Sequence, residues 1–228
     1  MLIIELLVSA SLLWVYDKSN LLVLGINPTK PRMKDLAFGF ISSGTLCAVS
    51  LFVISIITRT LVTLNPDFTW VIFLSSFFWM LKSVLIEELL FRGVILYVGI
   101  KKLGIHWACV LSSIAFGIYH WFSYNVFGDV AQMIYVFFVT GVGGILFAYA
   151  FALTRSLYLP IGLHLGWNVV NVVVFSQGPL GKQMFVYDGG QPLNTMWSIS
   201  FFLYQVIVLP LVTYFYITRR KSTAIEAI

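Results

Sequence analysis

The chain alternates between long apolar runs and short polar connections. A helix needs about 20 mainly apolar residues to cross a bilayer, whereas a barrel strand shows only about 10 residues of alternating character. The runs here have helix length and favour an all-α, polytopic membrane bundle of about seven transmembrane helices. The predicted helices are Leu2–Tyr16, Leu36–Ile57, Trp70–Leu90 with a continuation toward Tyr97, Ile105–Phe127, Met133–Leu153, Leu157–Phe175 and Met196–Ile217. The first is short, and we expect it to be retained because it lacks a basic leader and a cleavage site.

Composition supports a membrane protein and excludes a soluble one. The chain is 60% hydrophobic and only 10% charged, with a mean hydropathy of +0.94, whereas a soluble domain is about 25% charged. We therefore predict one integral membrane domain over residues 1–228. The net charge of +5 needs no nucleic-acid partner, because membrane topology accounts for it.

Lysine and arginine fall unevenly between the predicted loops. Only Arg59 and Lys182 lie on one side, while Lys82 and Arg92 lie within the third predicted helix. Because basic loops stay inside, we expect a multi-pass protein of the cell membrane with a cytoplasmic C-terminus and an outer N-terminus. The ten basic residues on the other side are Lys18, Lys30, Arg32, Lys34, Lys101, Lys102, Arg155, Arg219, Arg220 and Lys221.

Two adjacent acids, Glu87 and Glu88, lie inside the third apolar run. Each would cost about 2.5–3.5 kcal/mol at mid-membrane, so intramembrane acids usually serve a function. Arg92 follows Glu88 by four residues, on the same helix face, and can pair with it. Glu87 points about 100° away and needs another partner.

Further polar side chains lie on two other predicted helices: His120 on the fourth, and His164 with Asn168 on the sixth. Singly, each is explained as an interhelical hydrogen-bonding group. Together with the glutamates they predict one polar cavity inside the bundle. We expect Glu87, Glu88, His120, His164 and Asn168 around this cavity, open toward the cytoplasm.

This set of residues suits the activation of water. A desolvated glutamate can act as a general base near neutral pH, and histidine can share the water or protonate a leaving amine. His164 and Asn168, one turn apart, can direct two donors at a developing oxyanion. No serine lies in a G-x-S-x-G elbow, which argues against covalent catalysis.

Metal binding is the alternative chemistry. Glu87, His120 and His164 could hold zinc in the His₂Glu manner. The spacing is not that of H-E-x-x-H, so we expect no cofactor, with zinc as the alternative.

The three motifs resemble those of a known family. Glu87-Glu88-x-x-x-Arg92, Phe116-x-x-x-His120 and His164-x-x-x-Asn168 are similar to the motifs of the CPBP family, which includes CAAX prenyl proteases and bacteriocin-processing or immunity proteins. The resemblance covers a motif-bearing core of residues 82–171. It implies an intramembrane endopeptidase of the Ras-converting CAAX type, without metal, that cuts a lipidated or small membrane-associated peptide.

The resemblance also implies roles for the individual residues. Glu87 and His120 would activate the water, Glu88 and Arg92 would support the site, and His164 with Asn168 would form the oxyanion hole.

Two other functions remain open. One is a non-proteolytic immunity protein, scaffold or membrane regulator, since some relatives have such roles. The other is a transporter that uses the acids as a proton relay, although the two halves of the chain show no duplicated hydropathy pattern.

Overall fold

A computed structural model describes the backbone of residues 2–225 and the side chains of residues 2–220. Seven α-helices carry the described part of the fold: α1 Leu2–Asp17, α2 Lys30–Thr58, α3 Trp70–Arg92, α4 Val94–Ser123, α5 Val130–Thr154, α6 Tyr158–Asn168 and α7 Thr195–Ile225. A 3-10 turn, Leu21–Leu24, precedes α2, and α6 continues as a π-helix over Val169–Val174.

Within the described residues, three helical stretches are long and apolar enough to cross a membrane. They are Lys30–Thr58, Val130–Thr154 and Thr195–Arg220. The mainly helical membrane architecture is therefore confirmed, while the count of seven spans stays a prediction.

Two short strands are the part of the fold that an all-α prediction misses. β1, Leu61–Leu64, pairs antiparallel with β2, Phe185–Asp188. Each strand has four residues, and its partner is far away along the chain. A local hydrophobic pattern carries little information about such a pairing.

The two ends of the bundle differ in charge. At one end, Ser156 Oγ donates to the Gly25 carbonyl at 3.0 Å, and Arg220 pairs with Asp35 at 3.0 Å. We call this the basic end: α1, α5 and α7 end here, and α2 and α6 begin here. We call the opposite end, formed by β1, β2 and the loops 124–129 and 176–194, the hairpin end, after the pairing of β1 with β2. The turn of the helical hairpin of α3 and α4, described below, lies at the basic end.

The basic end also joins α1 to α4. Lys101 and the Tyr97 hydroxyl both donate to the carboxylate of Asp17. These hydrogen bonds hold the pKa of Asp17 below its usual value, with the bond from Lys101 contributing most. The contact brings Lys101, in the first part of α4, to the loop that follows α1.

α3 and the first part of α4 together form one arm of a long antiparallel helical hairpin, and the rest of α4 forms the other arm. The predicted continuation of the third helix to Tyr97 is interrupted at Gly93 (φ −75°, ψ −129°), where a Cβ would lie 2.1 Å from the Leu89 carbonyl oxygen. The chain then continues as the first part of α4 and reverses at Gly104, whose φ of 79° favours glycine. Beyond this turn Ala108 lies against Gly99, since a Cβ on Gly99 would be 3.4 Å from the Ala108 methyl.

The same reversal brings motif residues of the two arms together. The Phe91 and Phe116 rings, one from each arm, lie 5.1 Å apart. Glu87 and His120 lie about 17 and 16 residues from Gly104, so they face each other across the hairpin.

Helix α6 crosses α2 at very short distance. Cβ atoms built on Gly162 and Gly166 would lie 2.4 Å from the Leu36 carbonyl oxygen and 2.2 Å from that of Phe40. Such close backbone approach is the usual role of a G-x-x-x-G pair in membrane helices. The crossing fixes the position of His164, which lies between the two glycines.

Candidate active site

A cavity of about 320 Å³ lies between α3, α4, α5, α6 and α7. Four of the predicted site residues line it: Glu87, His120, His164 and Asn168. Glu88 and Arg92 are fully buried, with 0% of either residue exposed, and lie outside the cavity wall. The expectation that Glu88 borders the cavity is therefore wrong, because its carboxylate turns away from the cavity toward Arg92 and one nitrogen of His164.

Glu88 and Arg92 form the predicted ion pair one helical turn apart. Arg92 Nη1 lies 3.0 Å from Glu88 Oε1, and Nη2 donates to the Gly144 carbonyl of α5 at 3.2 Å. The guanidinium also lies 4.0 Å from the centre of the Phe116 ring, a distance at which a cation–π attraction is substantial. The buried charge is therefore neutralised and held on several sides.

His164 connects this pair to the cavity. Its Nδ1 lies 2.8 Å from Glu88 Oε1, and since a carboxylate paired with arginine accepts, Nδ1 carries the donated proton. The imidazole stacks on the Phe147 ring at 4.9 Å with an interplanar angle of 19°. These contacts fix the ring orientation, so Nε2 points at Glu87.

Glu87 faces both histidines. Its Oε2 lies 3.9 Å from His120 Nε2 and 3.8 Å from His164 Nε2, while Ser83 Oγ approaches Oε1 at 3.4 Å. Both nitrogen distances exceed a direct hydrogen bond and match polar groups that share a water. Glu87 thus has the partners that its position on α3 required.

His120 has a defined tautomer in its neutral form. Its Nδ1 lies 2.8 Å from the Phe116 carbonyl oxygen, which can only accept, so Nδ1 donates. Nε2 then presents a lone pair toward Glu87. Two facing acceptors can each take one hydrogen from the same water, which turns a lone pair of that water into the cavity.

Asn168 follows His164 by one helical turn and lines the same cavity. Within the side chains described, its amide makes no hydrogen bond to the protein, so its donors are free for another group. Because α6 is α-helical up to this residue, the two side chains share one face.

The alternative zinc site can be tested against these distances. Ligands on a tetrahedral zinc ion, with bonds of about 2.0–2.2 Å, lie roughly 3.3–3.5 Å apart. The separations from Glu87 Oε2, 3.9 Å to His120 Nε2 and 3.8 Å to His164 Nε2, are wider. Among the residues described, no group of three or more His, Cys, Asp or Glu side chains has a metal-site arrangement. These separations are somewhat wider than those of tetrahedral zinc ligands, and zinc stays the alternative to a shared water at this position.

Several residues of the site escaped sequence reasoning. Phe147 stacks on His164, the Gly144 carbonyl binds Arg92, and Gln205 and Asn171 add amides to the cavity wall. Gln205 is a polar residue in the apolar α7, a signal that was available. Phe147 had no such signal, because a phenylalanine in a membrane helix usually contacts lipid or core.

The cavity opens toward the hairpin end. On this side α4 ends at Ser123, only three residues after His120. α3 extends further in the same direction, because it begins at Trp70, well before Glu87. The prediction that the cavity opens on the same side as the C-terminus is wrong, because the end of α7 lies at the opposite, basic end. The lining residues that are exposed are Trp79, Ser123, Tyr124, Gln177, Gly178 and Pro179.

The comparison with protein families gives a match over part of the chain. A family model described as type II CAAX prenyl endopeptidase, Rce1-like, matches residues 68–170. This range contains α3, α4, α5 and α6, and with them all six predicted site residues. Neither the comparison with curated proteins nor that with solved structures gave a match.

Proposed function

Because residues 68–170 place this chain in the Rce1-like family of type II CAAX prenyl endopeptidases, we propose that it is an intramembrane endopeptidase whose nucleophile is a water activated by Glu87 and His120. The family match confirms the resemblance that the three sequence motifs carry. The catalytic type and the role of each residue are the proposal.

One observation carries the proposal: the Glu87 carboxylate lies within 3.8–3.9 Å of the Nε2 atoms of two histidines, beside a cavity of about 320 Å³. A water held by Glu87 and His120 would attack the carbonyl carbon and lose a proton to Glu87. The new C–O bond converts the carbonyl into a tetrahedral oxyanion. General-base assistance of this kind contributes about 10²–10⁴-fold to a rate.

The oxyanion would be held from the α6 side of the cavity. Asn168 can donate through its amide. His164 already donates through Nδ1 to Glu88, so its Nε2 donates only when the ring carries both protons.

Collapse of the intermediate completes the reaction. The C–N bond breaks as the leaving nitrogen takes the proton that Glu87 accepted, either directly or through His120. The remaining hydroxyl proton of the attacking water also passes to the amine, so the products are a carboxylate and an ammonium group, and Glu87 is regenerated as a carboxylate. Glu88 and Arg92 touch no reacting atom and act by positioning His164.

The test is Glu87→Gln, which keeps the shape of the side chain and removes the base. The purified protein in nanodiscs would receive farnesylated peptides ending in a CAAX sequence and unmodified amphipathic peptides, with products identified by mass spectrometry. We expect cleavage by the wild type and a loss of at least about 10²-fold in the variant.

The matched control is Glu5→Gln, the same change in the apolar helix α1, outside the cavity. It should cleave like the wild type. Turnover by Glu87→Gln at the wild-type rate would rule out Glu87 as the base. A folded wild type that cleaves none of the peptides would favour the non-proteolytic immunity or scaffold function.

A further inference from the structure

The mouth of the cavity, which is its opening at the hairpin end, lies at the opposite end of the bundle from most of the basic residues. This arrangement limits the side of the membrane from which a substrate can enter. Apart from Lys82 and Arg92 on α3, the described lysines and arginines divide between the two ends of the bundle. The hairpin end has Arg59 and Lys182. The basic end has Lys18, Lys30, Arg32, Lys34, Lys101, Lys102, Arg155, Arg219 and Arg220.

Contacts between distant segments show that these nine residues share one end. Gly25 packs on the backbone of Arg155 and Ser156, and a Cβ at Gly25 would lie 2.3 Å from the Arg155 carbonyl oxygen. Lys101 reaches Asp17, and Arg220 reaches Asp35. The charge asymmetry is thus a property of the folded molecule as well as of the loop order.

The cavity is closed toward the basic end. Beneath Glu87 and the two histidines lie buried side chains, among them Glu88, Arg92 and Phe151, each at most 1% exposed. Toward the hairpin end the wall includes the exposed residues Tyr124 and Gln177. A substrate therefore reaches Glu87 from the hairpin end.

The surface beside the mouth is suited to a membrane interface. Phe122, Tyr124 and Phe127 are 65%, 56% and 65% exposed, next to the end of α4. Tyrosine and tryptophan are the aromatic residues enriched at the headgroup layer; Tyr124 is of this kind, and the two phenylalanines add exposed apolar surface beside it. The mouth therefore lies near a membrane surface, within reach of a peptide bound to that surface.

Because basic segments remain on the cytoplasmic side of a membrane, we propose that the cavity opens on the extracytoplasmic side and takes a peptide segment presented there. The substrate class is an exported, membrane-associated peptide or the outer juxtamembrane segment of a membrane protein. The substrate class rests on the proposed peptidase function, whereas the direction of the mouth does not. The uncharged amides of Asn171, Gln177 and Gln205 along the wall suit hydrogen bonding to a peptide backbone.

The direction of the mouth can be tested with single cysteines. The two native cysteines, Cys47 and Cys109, are buried and would be replaced by alanine. Gln177→Cys then reports on the mouth and Lys182→Cys on the hairpin end. Lys102→Cys, exposed at the opposite end, is the matched control. Intact cells and permeabilised cells of the expression host would be treated with a membrane-impermeant maleimide.

We expect Gln177→Cys and Lys182→Cys to be labelled in intact cells, and Lys102→Cys only after permeabilisation. The reverse pattern would overturn the proposed sidedness. A Gln177→Cys variant that stays unlabelled even in permeabilised cells, while Lys182→Cys reacts, would overturn the position of the mouth.

A failure of the peptidase function would look different. In detergent both ends of the protein are accessible, so cleavage and its dependence on Glu87 do not depend on orientation. Cleavage in detergent with reversed labelling overturns only the sidedness. The expected labelling with no cleavage overturns the peptidase and leaves the outward cavity in place.

Discussion

The Nδ1 atom of His164 lies 2.8 Å from Oε1 of Glu88, a residue 76 positions away in the chain. Because Glu88 also pairs with Arg92, the orientation of His164 depends on an ion pair that never reaches the cavity. A change in the pair should therefore disturb the histidine as well as the fold.

Arg92→Ala should destabilise the protein strongly. It leaves Glu88 buried without its cation, which costs roughly 3–5 kcal/mol, and it also removes the contact with the Gly144 carbonyl. Thermal unfolding in detergent would measure the loss, and Glu88→Gln in the same chain should restore part of it. Lys82→Ala, which removes an exposed cation from the same helix, is the control. An Arg92→Ala protein as stable as this control would contradict the pairing.

Gly166→Ala should separate α6 from α2. The new methyl group would lie 2.2 Å from the Phe40 carbonyl oxygen and 2.4 Å from Ser43 Oγ, and overpacking of this kind costs about 1–3 kcal/mol. The unfolding temperature and, if the proposed function holds, the cleavage rate should both fall, because the crossing positions His164.

The matched control for that variant is Gly141→Ala in α5, where the nearest atom would be 3.9 Å away. Here alanine fits and improves the helix propensity by up to about 1 kcal/mol, so stability should be unchanged or higher. Equal effects of the two substitutions would mean that the close crossing is unimportant.

Asn168→Ala should reduce kcat by about 10²-fold with little change in KM, as expected for the loss of one oxyanion donor. Asn171→Ala removes an amide one turn further along the same cavity and should affect kcat much less. Steady-state kinetics on one cleaved peptide would separate the two parameters. A rise in KM with kcat intact would make Asn168 a substrate-binding group instead.

Chelators should leave the activity unchanged, since the separation of Glu87 from both histidines suits a water. Purified protein would be incubated with EDTA or 1,10-phenanthroline, and its metal content would be measured by mass spectrometry. Activity that disappears with chelation and returns with zinc would contradict the metal-free mechanism.

The sequence was informative where chemistry and helical spacing coincide. A four-residue spacing made Glu88 and Arg92 partners, and the structure confirms the contact. The convergence of Glu87, His120 and His164 is confirmed as geometry, because charged or polar groups inside apolar helices must meet one another. Their catalytic roles remain predictions.

The sequence was least informative where backbone geometry decides. The apolar pattern predicted a third helix that continues toward Tyr97 and a fourth that begins at Ile105, and the structure places the turn between them. The pattern gave neither the break at Gly93 nor the reversal at Gly104 that sets His120 opposite Glu87, because both depend on torsion angles rather than on hydrophobicity. The G-x-x-x-G pair around His164 was visible in the sequence, but its role required the position of α2.

In the helical hairpin of α3 and α4, the alignment of Glu87 with His120 depends on the number of residues in each arm. Glu87 and His120 meet because each lies about 16 or 17 residues, or roughly 25 Å of helix, from the turn at Gly104. One inserted residue in either arm would turn everything beyond it by about 100° and move it by about 1.5 Å. Whole helical turns added to both arms together would keep the two residues opposite each other. The depth of the candidate site within the bilayer is therefore tied to the lengths of the two helical arms on either side of Gly104.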